Sequence, residues 1–193
     1  MQEIFYEECC LCLDAKAEKI KHNLLKILSY ISFILSFAYF CFFIWSFNFL
    51  QGNILIRLLF TLLPLIFLIG LGVLFNYLKN NYCVDYDYTI ISSTIKFSKV
   101  INNKNRKLIL KFNVNAIEKM GLIGSQYFEK IQLQTNVKKY LLTSNDNPYE
   151  NKNFYYIYAN INSQKALIIL ECSKTFILNV YKQANKLIKD GDF

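Results

Sequence analysis

Cys9, Cys10 and Cys12 form a C-C-x-C cluster and are the first residues of this chain whose type and spacing suggest chemistry. The cluster contains a nominal C-x-x-C, the spacing of a redox dithiol or of half a metal site. A metal would need further ligands, and the single histidine, His22, stands thirteen residues after Cys9 among lysines. A redox C-x-x-C belongs to a βαβ setting that this sequence lacks. Lipid attachment or burial at an interface is the simpler reading, because Ile4, Phe5, Leu11 and Leu13 would let the segment lie as an interfacial helix. The other cysteines, Cys41, Cys83 and Cys172, are isolated, so no disulfide framework is expected. With the topology argued below, Cys83 and Cys172 are expected as reduced cytoplasmic thiols.

The second chemical feature is basic. Lys96, Lys99, Lys104, Arg106, Lys107 and Lys111 cluster on one expected β-hairpin. Near an anionic leaflet each such charge is worth about 1 kcal/mol, decaying within a Debye length. Anionic-lipid contact is therefore the functional reading, and a solvated hairpin in a Lys-rich protein is the ordinary one. Asp85 and Asp87 sit on one side of a strand and read as solvent-facing edge charges. The run Phe154-Tyr155-Tyr156-Ile157-Tyr158 reads as core packing rather than a ligand platform. There is no Gly-rich phosphate loop, nucleophile elbow or His/carboxylate metal set. No catalytic residue, cofactor or metal is expected, nor is nucleic-acid binding, despite a net charge of +8.

Two apolar runs, 27–47 and 54–78, are the elements that must position these residues. About 20 helical residues cross the roughly 30 Å hydrocarbon core, so the pair reads as a transmembrane hairpin. Lys16, Lys19, Lys21 and Lys26 precede it and Lys79 closes it, whereas the connection 48–53 holds no charge. The positive-inside rule then puts both termini in the cytoplasm, giving a cell-membrane protein of two spans. Arg57 can snorkel to the outer headgroups. Antiparallel pairing sets Ser32 and Ser36 near the depth of Gly72 and Gly70, small residues that permit close helix approach. A cleaved signal peptide does not fit an apolar run this long after 26 residues holding five acids. The expected divisions are an interfacial N-terminal segment 1–26, the hairpin 27–79 and a domain over 80–193.

Past Lys79 the hydrophobic period becomes that of strands. Val84, Tyr86, Tyr88 and Ile90 alternate with Asp85, Asp87 and Thr89, and Ile95 and Phe97 alternate with Lys96 and Ser98. A turn over 102–105 leads to Leu108, Leu110 and Phe112 on one face, with Lys107, Ile109 and Lys111 on the other. Further strands are expected at 116–120, 139–143, 154–161 and 166–171; the stretch 121–136 is ambiguous and 145–153 is a loop. Ser173 can cap an amphipathic helix over 173–189, with Phe176, Ile177, Val180, Ala184, Leu187 and Ile188 as its stripe.

About seven strands and a final helix resemble the pleckstrin-homology-like (PH-like) fold. With the basic approach to the first span, Tyr86-Asp87-Tyr88-Thr89, Ile95-Lys96-Phe97 and Asn103-Lys104-Asn105-Arg106-Lys107, the chain resembles an uncharacterised two-span bacterial membrane protein family. The resemblance implies an α+β membrane protein with a transmembrane hairpin followed by a small antiparallel β domain, closed by a C-terminal amphipathic helix. It also implies a non-enzymatic module for protein or lipid interaction at the inner membrane face. The expected partners are membrane lipids and an unidentified protein, or self-association through the hairpin. The alternative is an accessory subunit of a larger transporter or envelope-enzyme complex.

Overall fold

A computed structural model describes residues 5–46, 54–101, 105–184 and 189–190. The connection 48–53, the turn residues 102–104 with Lys104, the stripe residues Leu187 and Ile188, Ile4 and the Arg57 side chain lie outside the described residues. The chain divides into two compact units, Ala17–Tyr82 and a discontinuous one, Met1–Lys16 with Cys83–Phe193.

The first unit is the helical hairpin. Helices α1 (Lys16–Ser46) and α2 (Ile54–Leu78) are both long and apolar enough to cross a bilayer. Large side chains such as Phe37, Trp45, Ile66 and Tyr77 stand exposed on them. Helix α2 runs through Pro64 and passes into a 3-10 turn, Lys79–Asn81. The helices pair antiparallel: Ser29 Oγ donates to Gly72 O at 2.9 Å, and the His22 Nδ1 atom lies 3.0 Å from Lys79 O. A Cβ on Gly72 would stand 2.9 Å from the Phe33 ring, so a larger residue there requires that ring to move. The expected pairing is displaced. Ser29 rather than Ser32 meets Gly72, and nothing packs within 4 Å of where a Gly70 Cβ would stand. Ser32 and Ser36 are buried but donate back to Leu28 O and Phe33 O of their own helix, which satisfies them without a partner.

The second unit is built from two sheets. The first has order β1-β2-β3-β4, from β1 (Phe5–Cys10), β2 (Asp85–Ile91), β3 (Thr94–Ile101) and β4 (Asn105–Asn113), all antiparallel. The second has order β6-β8-β7-β5-β9, from β5 (Ile117–Leu122), β6 (Lys138–Leu141), β7 (Lys152–Ile161), β8 (Gln164–Ser173) and β9 (Lys189–Asp190). The N-terminal segment is thus not an interfacial helix. Phe5–Cys10 pairs residue for residue with residues 86–91 on the far side of the hairpin in sequence, and so covers a β2 edge that would otherwise be unpaired.

Tyr88, Ile90, Ile95 and Phe97 of the first sheet and Tyr155, Ile157 and Leu170 of the second close on one core. Phe176, Ile177 and Val180 of α4 (Lys174–Gln183) complete it. Ser173 caps α4 as expected, accepting from Phe176 N at 3.2 Å. The helix is shorter than 173–189: Ala184 is already extended, and Lys189–Asp190 pairs parallel with Met120–Gly121. A Cβ on Gly121 would lie 2.7 Å from Asp190 O, so glycine is required where β9 docks. The ambiguous stretch holds α3 (Gln126–Gln132), whose Phe128 and Ile131 pack with Tyr156, Tyr158 and Leu167 in a second core. Strand β7 is therefore buried on both faces, and its aromatic run is packing.

Candidate interaction surface

The basic residues begin on β3 and β4, and a bulge decides where they point. Phe97 pairs with Leu110 but Ser98 pairs with Leu108, so Ile109 is the extra residue. Every side chain of β4 before it changes face. Lys96 and Lys111 are opposite each other on the outer face, while Lys99 and Lys107 pair on the face of Tyr86, which packs against the core. Leu108, expected inward, is 54% exposed. The expected single basic patch is thus divided between two sides of one sheet.

Arg106 has a different employment. Its Nε lies 2.7 Å from Asp87 Oδ2 and its Nη2 3.6 Å from Glu7 Oε1. Asp87 is only 4% exposed, and Asp85 Oδ1 accepts a hydrogen bond from Cys12 N at 2.7 Å. Neither aspartate is the free edge charge that the alternation implied: β1 lies along β2 and covers Asp87, and the segment that follows β1 reaches Asp85. With Glu7, Cys9, Leu11 and Val100 these groups line a cleft of about 710 Å³. Burial pushes the Cys9 thiol up to about 12, assisted by its hydrogen bond to Asp87 and by the charges of Asp87 and Asp85. The thiol is un-ionised at neutral pH, so the cleft offers no activated nucleophile.

Sequence reasoning missed the best-connected polar residue, Glu171. It is fully buried in β8. Its Oε2 accepts from Cys10 Sγ at 3.2 Å, Thr143 Oγ1 at 2.9 Å and Asn145 Nδ2 at 2.7 Å, and its Oε1 from Tyr149 N at 2.8 Å. Tyr88 OH fixes the start of the same loop by donating to Leu142 O at 2.5 Å. Held in this way, the loop between β6 and β7 grips the stem that leads into α1. Asn145 Oδ1 accepts from Leu13 N and Asp14 N, Asn145 Nδ2 also donates to Leu11 O, and Asp146 N donates to Asp14 O. It also reaches the stem leading out of α2, through Ser144 Oγ donating to Val84 O at 2.9 Å. Between the two stems Cys12 and Cys83 form a disulfide with Cα atoms 5.5 Å apart, which corrects the expectation of a reduced Cys83. Cys172 is a buried free thiol. The signal for Glu171 was a lone acid ending an apolar strand; the C-C-x-C cluster pointed to the stem but not to its partner 71 residues on.

Two sheets around one core, closed by a helix following the last long strand, are a PH-like domain. The helical hairpin is an insertion between its first and second strands. The chain belongs to the bacterial PH-like domain family (DUF6106), whose model matches residues 2–189 and so includes β1, the hairpin and the β domain. No curated protein and no solved structure matches the chain.

Proposed function

We propose that this is an integral membrane protein of two spans that presents its PH-like domain at the cytoplasmic face as a non-enzymatic interaction module. One observation carries the reading: β1 precedes the hairpin and β2 follows it, yet the two pair over six residues. A hairpin that crosses the bilayer and returns keeps both strands on one side. Lys16, Lys19, Lys21 and Lys26 in the first turns of α1 and Lys79 after α2, against an uncharged connection at 48–53, favour the inner side. Lys96 and Lys111, paired on the outer face and free of the Asp87 contact that holds Arg106, are the strongest candidates for anionic-lipid contact. Lys99, Lys104 and Lys107 would add only a diffuse attraction.

Site-directed labelling tests the topology. A cysteine at Gln51 should react with a membrane-impermeant maleimide in intact cells, and one at Leu133, which is 84% exposed, only after permeabilisation. The reverse pattern would refute the orientation.

A further inference from the structure

Every other thiol of the β domain is accounted for by its surroundings. Cys10 is buried against Glu171 and raised to about 12, Cys172 is buried and raised well above its ordinary range, and Cys9 is raised to about 12 beside Asp87. Protonated thiols neither attack disulfides nor oxidise readily. Cys12 and Cys83 are different in kind. They occupy the two stems, four residues before α1 begins and five after α2 ends, and no strand or helix contains them. Cys83 has a φ of 53°, in the left-handed region that a non-glycine residue adopts only when its surroundings impose it. Around the pair the stems are held by Cys12 N donating to Asp85 Oδ1, Leu13 N donating to Asn145 Oδ1 and Ser144 Oγ donating to Val84 O.

We infer that Cys12 and Cys83 form a reversible thiol–disulfide clamp that fixes the two roots of the hairpin together when oxidised and loosens them when reduced. The inference rests on the cytoplasmic reading, because disulfides that form in that compartment are transient and redox-sensing. Formation proceeds by exchange with a low-molecular-weight disulfide. One cysteine thiolate attacks it and releases one thiol; the second thiolate then displaces the other. Two protons leave Cys12 and Cys83, two electrons pass to the oxidant, and it departs as two thiols. The hydrogen bonds to Asp85, Ser144 and Asn145 keep the cysteines apposed in the reduced state, so closure needs no refolding. Reduction lets Cys83 leave its left-handed conformation, and the stem 11–14 is then held by hydrogen bonds alone.

The test uses the full chain in lipid nanodiscs, equilibrated in mixtures of reduced and oxidised dithiothreitol, with differential alkylation and peptide mapping of each cysteine. Cys12 and Cys83 should convert together and reversibly while Cys10 and Cys172 remain thiols. Hydrogen exchange of amides 11–14 should accelerate about tenfold on reduction, and the Cys12→Ser/Cys83→Ser double variant should show the faster rate under both conditions. Equal exchange in the oxidised and reduced protein overturns the clamp. So does a Cys12–Cys83 bond that does not re-form after reduction. In cells, thiol-trapping before and after a thiol oxidant should show the pair reduced at rest and bonded afterwards; a bond already complete at rest overturns the reversible device. Labelling at Leu133 separates the two readings. External reaction there refutes the cytoplasmic placement, whereas protection combined with a pair that never cycles refutes the clamp alone.

Discussion

Glu171 gathers donors from β1, from the loop after β6 and from the backbone ahead of β7, so its carboxylate spans contacts far apart in sequence. Removing it takes the acceptor away from three buried donors, Cys10 Sγ, Thr143 Oγ1 and Asn145 Nδ2. Glu171→Ala is expected to cost about 3 kcal/mol, and Glu171→Gln, which keeps the volume and one acceptor, less. The thermal unfolding midpoint of the purified protein checks both, and an unchanged midpoint for Glu171→Ala would mean the loop is held otherwise. The Cys10 thiol gives a pH signature. An unfolded cysteine ionises near 9.0, while burial lets folded Cys10 hold its proton to about 12. Between those values the native state binds more protons, so stability is intact below pH 9 and declines as pH rises toward 12. Denaturation midpoints that rise between pH 8 and pH 10.5 would contradict this shift. Neither Glu171 nor Asp87 was legible as buried. Hydrophobic alternation assigns a strand its faces, but whether a polar face meets water depends on what is laid over it. For Asp87 the cover is β1, which comes from the other side of the hairpin.

The strands with strict alternation, β2 and β3, were readable from residues alone, and so was β7, whose continuous apolar run marks burial on both sides. Strand β1 was not, because its apolar residues also suit an amphipathic helix and its pairing partner begins some 75 residues later. The bulge at Ile109 was equally silent: nothing local distinguishes a residue that stays in the ladder from one that is skipped. These features determine how the domain can be dissected. Residues 80–193 alone lack β1 and the donor Cys10, and are expected to be insoluble or poorly folded. Joining residue 14 to residue 83 by a short Gly-Ser linker should restore a soluble domain, since the stems already approach to 5.5 Å at Cys12 and Cys83. Size-exclusion chromatography and circular dichroism of the two products check this, and a well-folded 80–193 fragment would show that β1 is dispensable. In the hairpin, Gly72→Val should weaken helix pairing by about 1–3 kcal/mol through collision with Phe33. Gly70→Ala, with open space around it, should be silent in the same detergent-titration assay.

At the scale of the whole chain, the lysines rather than the cleft are expected to sense the lipid. In nanodiscs containing anionic lipid, hydrogen exchange over β3 and β4 should be slower than in zwitterionic ones. Lys96→Gln with Lys111→Gln should remove most of that difference, at about 1 kcal/mol per charge. Arg106→Gln should act differently, lowering stability through the bereft Asp87 more than it alters the lipid response. Identical exchange in both bilayers would remove the lipid role and leave a protein partner.

On the two-span topology proposed above, placing the hairpin between β1 and β2 would make correct insertion a condition of closing the sheet. A nascent chain whose second helix fails to turn back strands its opening residues and its remaining strands in different compartments, and no later step can unite them. Completion of the sheet would then report correct insertion, because a misinserted copy would leave the β2 edge without the β1 strand that pairs with it.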